Sequence, residues 1–292
     1  MIHLLHDDTL TQENREKFLR TTQKYSQEIE FVNVEAYKNN FSDELLKLAG
    51  SWTIGTLYRL LITEVLKLDR VIYLDGDVIV NLDIRELWEI DMEGKSLAGA
   101  KDLTNPRWGD TTRAELLGCD TANYINAGVV IMDLRKIRSR GSLFKIATDF
   151  IIAKRDLILA PDQDALNAIF RNDIKIISNK FNAHFSMMSE NMPDCIIHML
   201  AWKPWIAITG VQSDRLYWKM YVRSAWGENA TRDELIDIFN NLAYGTAHST
   251  LYHHTPMQCV RRLSFSAWIR ICAPFRLAKF FASSIFYRFK HK

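Results

Sequence analysis

The sequence predicts an α/β fold: a mostly parallel sheet flanked by helices, followed by a basic, aromatic helical appendage. Three observations carry this. Short apolar runs alternate with segments of helical spacing along the first 225 residues, as in sheets built from strand–helix units. Residues Val71 to Val80 read Val-Ile-Tyr-Leu-Asp-Gly-Asp-Val-Ile-Val, an apolar run that stops at a carboxylate, turns on a glycine, offers a second carboxylate and resumes. No acid follows Asp237, whereas eight lysines and arginines do.

The elements follow in order. Ile2–Leu5 is a short apolar strand, and 11–25 is a polar helix whose start Thr11 and Asn14 can cap. Ile29–Val34 is a second strand. Leu57, Leu60, Leu61, Val65 and Leu68 form one face of a helix over Thr56–Leu68. Val71–Leu74 then reads as a strand buried on both faces. Leu97–Ala100, Ala127–Met132 and Ile174–Ile177 are further strands, and Leu143–Ala153 and Asp164–Phe170 are helices. This organisation predicts one domain over 1–225, a connecting segment over 226–256, and a separate tail over 257–292.

Composition narrows the class. At 292 residues, with 48% hydrophobic and 25% charged residues, the chain can bury a full α/β core. Cys119, Cys195, Cys259 and Cys272 show no metal or disulfide framework, which fits a reducing compartment. There is no signal peptide and no run of about 18 uncharged apolar residues, which predicts a cytoplasmic protein without a membrane span. The net charge of +2 hides an asymmetry: the first 237 residues carry 29 basic and 35 acidic side chains. Residues 257–292 interleave their basic groups with Phe265, Trp268, Phe275, Phe280, Phe281, Phe286, Tyr287 and Phe289. That is the composition of a helix lying on an anionic membrane surface, broken once by Pro274; a helix packed on the domain with its basic face solvated is the plainer alternative, and a nucleic-acid role is the third and least favoured option, because basic patches are generic.

Asp75 and Asp77 sit at the carboxyl end of a strand, where open α/β sheets hold their ligands. Two like charges this close favour a cation between them, and a metal held by few protein groups keeps positions open for phosphate oxygens. Four later segments fit that idea. Asn126 opens an apolar strand beside the small pair Ala127-Gly128, which permits close approach; alone it reads as a turn asparagine. Asp162, in Pro161-Asp162-Gln163-Asp164, reads alone as a helix N-cap. His198 ends the run Ile196-Ile197-His198 and precedes Lys203-Pro204-Trp205; alone the histidine reads as structural and the lysine as solvated. Arg59 in its helix reads alone as a surface charge.

Taken together, the Tyr58-Arg59-Leu60 helix, Tyr73-Leu74-Asp75-Gly76-Asp77, Asn126-Ala127-Gly128-Val129, Asp162-Gln163-Asp164 with Leu166-Asn167, and His198 with Lys203-Pro204-Trp205 resemble the family 8 glycosyltransferases, over about residues 2 to 205. The resemblance implies a GT-A-like nucleotide-diphospho-sugar transferase domain and a UDP-sugar donor, UDP-galactose or UDP-glucose. It implies Mn2+, with Mg2+ as the substitute, and retention of configuration. Carried over by position, Asp75, Asp77 and His198 are the metal ligands. Arg59, Asp75, Gly76, Asp77, Asn126, Ala127 and Lys203 lie on the donor side. Asp162 and Gln163 are the catalytic pair, Gln163 beside the anomeric carbon. The implied acceptor is lipopolysaccharide outer core or a related lipid-linked glycan. The composition of 257–292, rather than the resemblance, adds the expected location at the inner face of the cytoplasmic membrane, and no nucleic-acid partner is expected.

Two departures from the family pattern stand out. The strand that normally opens the family, with its nucleoside-binding turn, has no counterpart before Met1-Ile2-His3-Leu4-Leu5-His6, and Asp7-Asp8 fits the second unit better. The chain therefore reads as a fragment, as starting too late, or as a decayed relative; an inactive interaction protein is the alternative function, and a phosphohydrolase or nucleotidyltransferase a third. Ala201 replaces a customary glycine, and Lys203 comes five residues after His198 rather than six. Acceptor contacts are expected in 101–120 and in 206–226, where Tyr217, Trp218, Tyr221 and Trp226 could stack on sugars, ordinary packing being the plain alternative.

Overall fold

A computed structural model describes residues 1–49, 54–103, 111–184, 194–200, 203–206 and 212–253. The chain divides into two compact units, one of Met1–Ala201 with Val211–Asn229, the other of Trp202–Gly210 with Ala230–Lys292. Ala201, the 104–110 segment and the 257–292 tail lie outside the described residues.

The first unit opens with strand β1 (Ile2–His6), helix α1 (Gln12–Lys24) and strand β2 (Ile29–Asn33), the strands pairing in parallel. Thr11 caps α1 as its sequence suggests, its side chain accepting from the Asn14 amide. Helix α2 (Asp43–Ala49) follows. The expected Thr56–Leu68 helix is broken into α3 (Gly55–Tyr58), a 3-10 turn (Arg59–Leu61) and α4 (Ile62–Val65). Strands β3 (Arg70–Leu74) and β4 (Val78–Asn81) flank the two aspartates, and α5 (Arg85–Trp88) and β5 (Leu97–Lys101) come next. Then come α6 (Thr111–Leu116), β6 (Ile125–Asp133), α7 (Leu134–Ser139), α8 (Leu143–Ala153), α9 (Pro161–Ile169) and β7 (Ile174–Ile177). Strands β8 (Ala183–His184) and β9 (Cys195–His198) and helices α10 (Gln212–Tyr221) and α11 (Ala225–Glu228) complete the unit, and α12 (Arg232–His253) belongs to the second.

The α/β class holds, but the strands are mixed in direction rather than mostly parallel. The four-stranded sheet runs β3-β6-β5-β7 and the three-stranded sheet β4-β9-β8. β6 is antiparallel to both β3 and β5, and β9 is antiparallel to β4. Direction is fixed by partners distant in sequence, which alternation of strands and helices does not encode. β6 is the central strand, with Ile125 to Met132 all buried. Its side chains divide between two apolar cores, Val130 and Met132 on one face and Val129 and Ile131 on the other. β3, expected to be buried on both faces, is half-buried throughout, because β6 is its single ladder partner among the described strands.

Two irregularities shape the site. Between β5 and β6 the register slips: Gly99 faces Val130 while Lys101 faces Ile125, two steps on one strand against five on the other. Such a bulge re-aims side chains, and here it carries Asn126, Ala127 and Gly128. The second is a change of partner. β3 pairs with β6 up to Leu74 opposite Val129, and β4 pairs with β9 from Val78 opposite His198. Asp75-Gly76-Asp77 crosses from one sheet to the other, the Asp75 amide donating to the Gly128 carbonyl at 2.8 Å and the Met199 amide to the Asp77 carbonyl at 3.0 Å.

Candidate active site

That crossing brings three expected ligands together. One donor atom each from Asp75, Asp77 and His198 lies within 4.8 Å of the others. His198 Nε2 is 3.2 Å from Asp77 Oδ1 and 3.7 Å from Asp75 Oδ2. The carboxylates are half-buried, whereas His198 is 2% exposed. Two carboxylate oxygens and one imidazole nitrogen form a donor set that could hold a divalent cation. The fit is also steric. A Cβ on Gly128 would lie 2.5 Å from His198 Nδ1 and 2.9 Å from Asp75 Oδ2, so glycine is what lets the β6 backbone approach both ligands.

Arg59 is not a surface charge. It is 5% exposed and its guanidinium spreads over the floor of the site. Nη2 donates to Asp75 Oδ1 at 2.7 Å, Nε lies 2.8 Å from Asp162 Oδ2, Nη1 donates to the Ala127 carbonyl, and the group lies 4.5 Å from the centre of the Tyr73 ring. Tyr73 OH donates to the same Asp75 Oδ1 at 2.7 Å. Asp75 is thereby anchored through one oxygen and presents the other to His198. Burial works against the Arg59 charge, but Asp162, Tyr73 and Asp75 outweigh it and raise its pKa.

Asp162 is not the cap of its helix. Ala160 occupies that position, Pro161 starts α9, and Asp162 faces inward, 5% exposed, accepting from the Thr56 hydroxyl at 2.9 Å. Burial pushes its carboxyl above the usual range, and Arg59 opposes the shift. Gln163 is fixed at both ends of its amide. Oε1 accepts from the Ala127 N–H at 3.0 Å, and Nε2 donates to Asp102 Oδ2 at 2.9 Å. Asn167 holds α9 against β6, its side chain pairing with both the N–H and the C=O of Ile125 at 2.8 and 2.9 Å.

The other motif residues divide. Ala127 is buried and lends its backbone to Arg59 and Gln163. Gly76 is exposed, and a Cβ there would meet nothing within 4 Å, so the fold does not require glycine at that point. Asn126, 8% exposed, accepts from the Gly128 N–H at 3.0 Å. Lys203 belongs to the second unit, where its carbonyl accepts from the Ile206 amide at 2.9 Å. Asp164 belongs to a different set of contacts from the Asp75–Asp77–His198 group. It is fully buried, pairs with Arg113 at 3.0 Å, takes the Tyr124 hydroxyl at 2.6 Å and accepts from the Leu159 and Ala160 amides at 2.9 and 3.0 Å.

Sequence reasoning missed Asn182, which hydrogen-bonds to both His198 and Asn126, and it met Asp102 only as part of a segment. Asp102 follows an apolar strand as Asp75 does, so the same strand-end rule could have found it. Trp226, expected near an acceptor, packs edge-on against Phe18 with centroids 4.8 Å apart and donates to Asn14 at 3.0 Å. Cys119 is buried and its thiol is pushed up to about 12 by burial, which leaves it inert as a nucleophile.

The family model for glycosyl transferase family 8 matches residues 1–209. A putative glycosyltransferase of Haemophilus influenzae is 28% identical over 182 residues, 60% of this chain and 52% of its own length. A lipopolysaccharide 1,2-glucosyltransferase of Escherichia coli K12 is 27% identical over 244 residues, 76% of this chain and 70% of its own length. The chain thus spans about half the length of the Haemophilus relative. Among solved structures, the galactosyltransferase LgtC in complex with donor and acceptor sugar analogs superposes with a TM-score of 0.65 at 20% identity, covering 81% of this chain and 99% of that one, which shows the shared GT-A-like fold. Among the described residues no helix is long and apolar enough to cross a membrane.

Proposed function

Because this chain belongs to glycosyl transferase family 8, we propose that it transfers galactose or glucose from a UDP-sugar to a glycan acceptor, with Mn2+ and with retention of configuration. The acceptor in this reading is lipopolysaccharide outer core or a related lipid-linked saccharide, which the Escherichia coli relative supports. The observation that carries the reading is the convergence of Asp75, Asp77 and His198 within 4.8 Å at the crossing between two sheets. A divalent cation there would neutralise the charge that develops on a leaving diphosphate.

The chain's own residues do the rest. Arg59 and Tyr73 hold Asp75 so that one oxygen stays free. Asp162 and Gln163 line the same floor, and Asp162 and Asn126 carry the sugar hydroxyls in this reading. Gln163, a poor nucleophile, is held by the Ala127 N–H through its oxygen and turns its NH2 to Asp102. That orientation supports front-face attack, in which the acceptor hydroxyl enters on the side UDP leaves, through an oxocarbenium-like state. The assignment of Arg59, Gly76, Ala127 and Lys203 to the donor rests on the family resemblance. The division into a catalytic domain over 1–225, a connector over 226–256 and a membrane-surface tail over 257–292 rests instead on the organisation and composition of the sequence.

Calorimetric titration with UDP, with and without Mn2+, tests the reading on the full chain and on Asp77→Asn. Mn2+-dependent binding lost in the variant is the expected result. A folded wild-type chain that binds no UDP under either condition would leave the non-catalytic interaction protein as the better account. Sedimentation with anionic vesicles tests the tail: deleting 257–292 should abolish co-sedimentation, and unchanged binding refutes the surface role.

A further inference from the structure

Asn182 ends the 3-10 turn Asn179–Asn182 that leads into β8, and the register of β8 places His184 opposite His198. The side chains of Asn126, Asn182 and His198 then form one buried line, 8%, 7% and 2% exposed. Its polarity follows from one group whose sense is fixed. The Gly128 backbone amide can only donate, and it points at one end of the Asn126 amide at 3.0 Å, so that end is oxygen. Asn182 approaches the same oxygen at 2.8 Å, so the end it presents is NH2. Its other end is therefore oxygen, and it lies 3.0 Å from His198 Nδ1. An amide oxygen only accepts, so the proton is on Nδ1.

We propose that Asn182 is a positioning residue: acting from the Gly128 amide through Asn126, it keeps the His198 proton on Nδ1 and turns the Nε2 lone pair toward Asp75 and Asp77. The inference rests on the metal reading given above, and it adds what prepares the imidazole. The opposite tautomer would set the bare Nδ1 lone pair against the Asn182 oxygen at 3.0 Å and would spend Nε2–H on Asp77 at 3.2 Å, leaving no ligand nitrogen. Outer hydrogen bonds of this kind fix ring orientation and raise ligand basicity, and their loss costs about 10- to 100-fold in metal affinity.

The test has two arms. In the first, nitrogen NMR of the metal-free full chain labelled with 15N-histidine reads which ring nitrogen of His198 carries the proton, its signals identified by their absence in His198→Ala. A proton on Nδ1 is expected, and a proton on Nε2 alone overturns the proposal. In the second, Mn2+ is titrated calorimetrically into wild type and Asn182→Leu. Affinity about 10- to 100-fold weaker in the variant is expected, and equal affinity in a folded variant overturns the proposal. The first arm needs no Asn182 variant, so misfolding of Asn182→Leu does not remove the test. A wild type that binds no Mn2+ would refute the metal reading, while the proton position still decides the relay.

Discussion

Replacing Arg59 with methionine keeps most of the side chain's length and apolar bulk and removes its charge. Arg59 and Asp162 are each 5% exposed, with Nε 2.8 Å from the carboxylate. Without the guanidinium, Asp162 keeps the neutral Thr56 hydroxyl but loses the cation that offsets its burial. Stranding one partner of a buried ion pair costs about 3–5 kcal/mol, a large share of the about 5–15 kcal/mol that stabilises a domain. Most of that loss belongs to Asp162, because the Asp75 side chain is 21% exposed and gains solvation when Arg59 is gone. The sign of the pH dependence follows. Burial already raises the Asp162 carboxyl above its ordinary 3.8, and losing Arg59 raises it further. A carboxyl whose folded pKa is raised favours the fold in its protonated form, so its contribution is fully present below the unfolded pKa and is lost as pH rises through the folded one. The penalty in Arg59→Met should therefore be smallest in acid and reach full size at neutral pH. Urea denaturation in EDTA, at about pH 5 and about pH 7.5, measures both. Adding Asp162→Asn removes the stranded charge and should restore most of the stability. A variant within about 0.5 kcal/mol of wild type at neutral pH, or a penalty equal at both pH values, would refute the reasoning.

Gly128→Ala should displace the His198 ring, because its new methyl would sit 2.5 Å from Nδ1 and 2.9 Å from Asp75 Oδ2. Overpacking of this kind costs about 1–3 kcal/mol. Thermal melts should show that loss together with loss of Mn2+ binding, and wild-type behaviour in both would contradict the close approach. Gly76→Ala meets nothing within 4 Å and has no left-handed backbone to strain, so its stability should stay within about 0.5 kcal/mol of wild type. Asp7 is held well below the usual carboxylate range, first by the Thr9 hydroxyl and, against an opposing effect of burial, also by the Tyr58 hydroxyl. Its contribution is present above the ordinary 3.8 and is lost as pH falls from there through the lowered folded pKa. Asp7→Asn should lose about 1–3 kcal/mol at neutral pH and flatten the acid limb of the stability profile, and an acid limb as steep as that of wild type rules this out.

Legibility in the sequence tracks how local each cause is. Asp75-Gly76-Asp77 was legible because carboxylates interrupt an apolar run, and Thr11 because a cap is set by the next three residues. Helix Leu143–Ala153 and strand Ile174–Ile177 match their expected bounds, since each carries its own period. Strand direction, the half-burial of β3 and the depth of Arg59 depend on partners and were not legible. Asp162 and Asp164 mark the boundary between the two cases. At about 100° per residue, two positions apart on a helix face nearly opposite sides, so the period alone says that the two acids cannot both enter one site. Which of them does is decided by Arg59 on one side and Arg113 on the other. Asn182 lies beyond any local rule, because its partners stand 56 and 16 residues away. The bulge in β6 has the same character. Ala127-Gly128 announces that something approaches closely, but five steps of β6 against two of β5 is a property of the pair. The sequence names Asp75, Asp77 and His198 because charged and imidazole side chains are chemically distinctive beside apolar runs. It conceals the groups that aim them, because an asparagine or a glycine becomes a positioning device through what it meets.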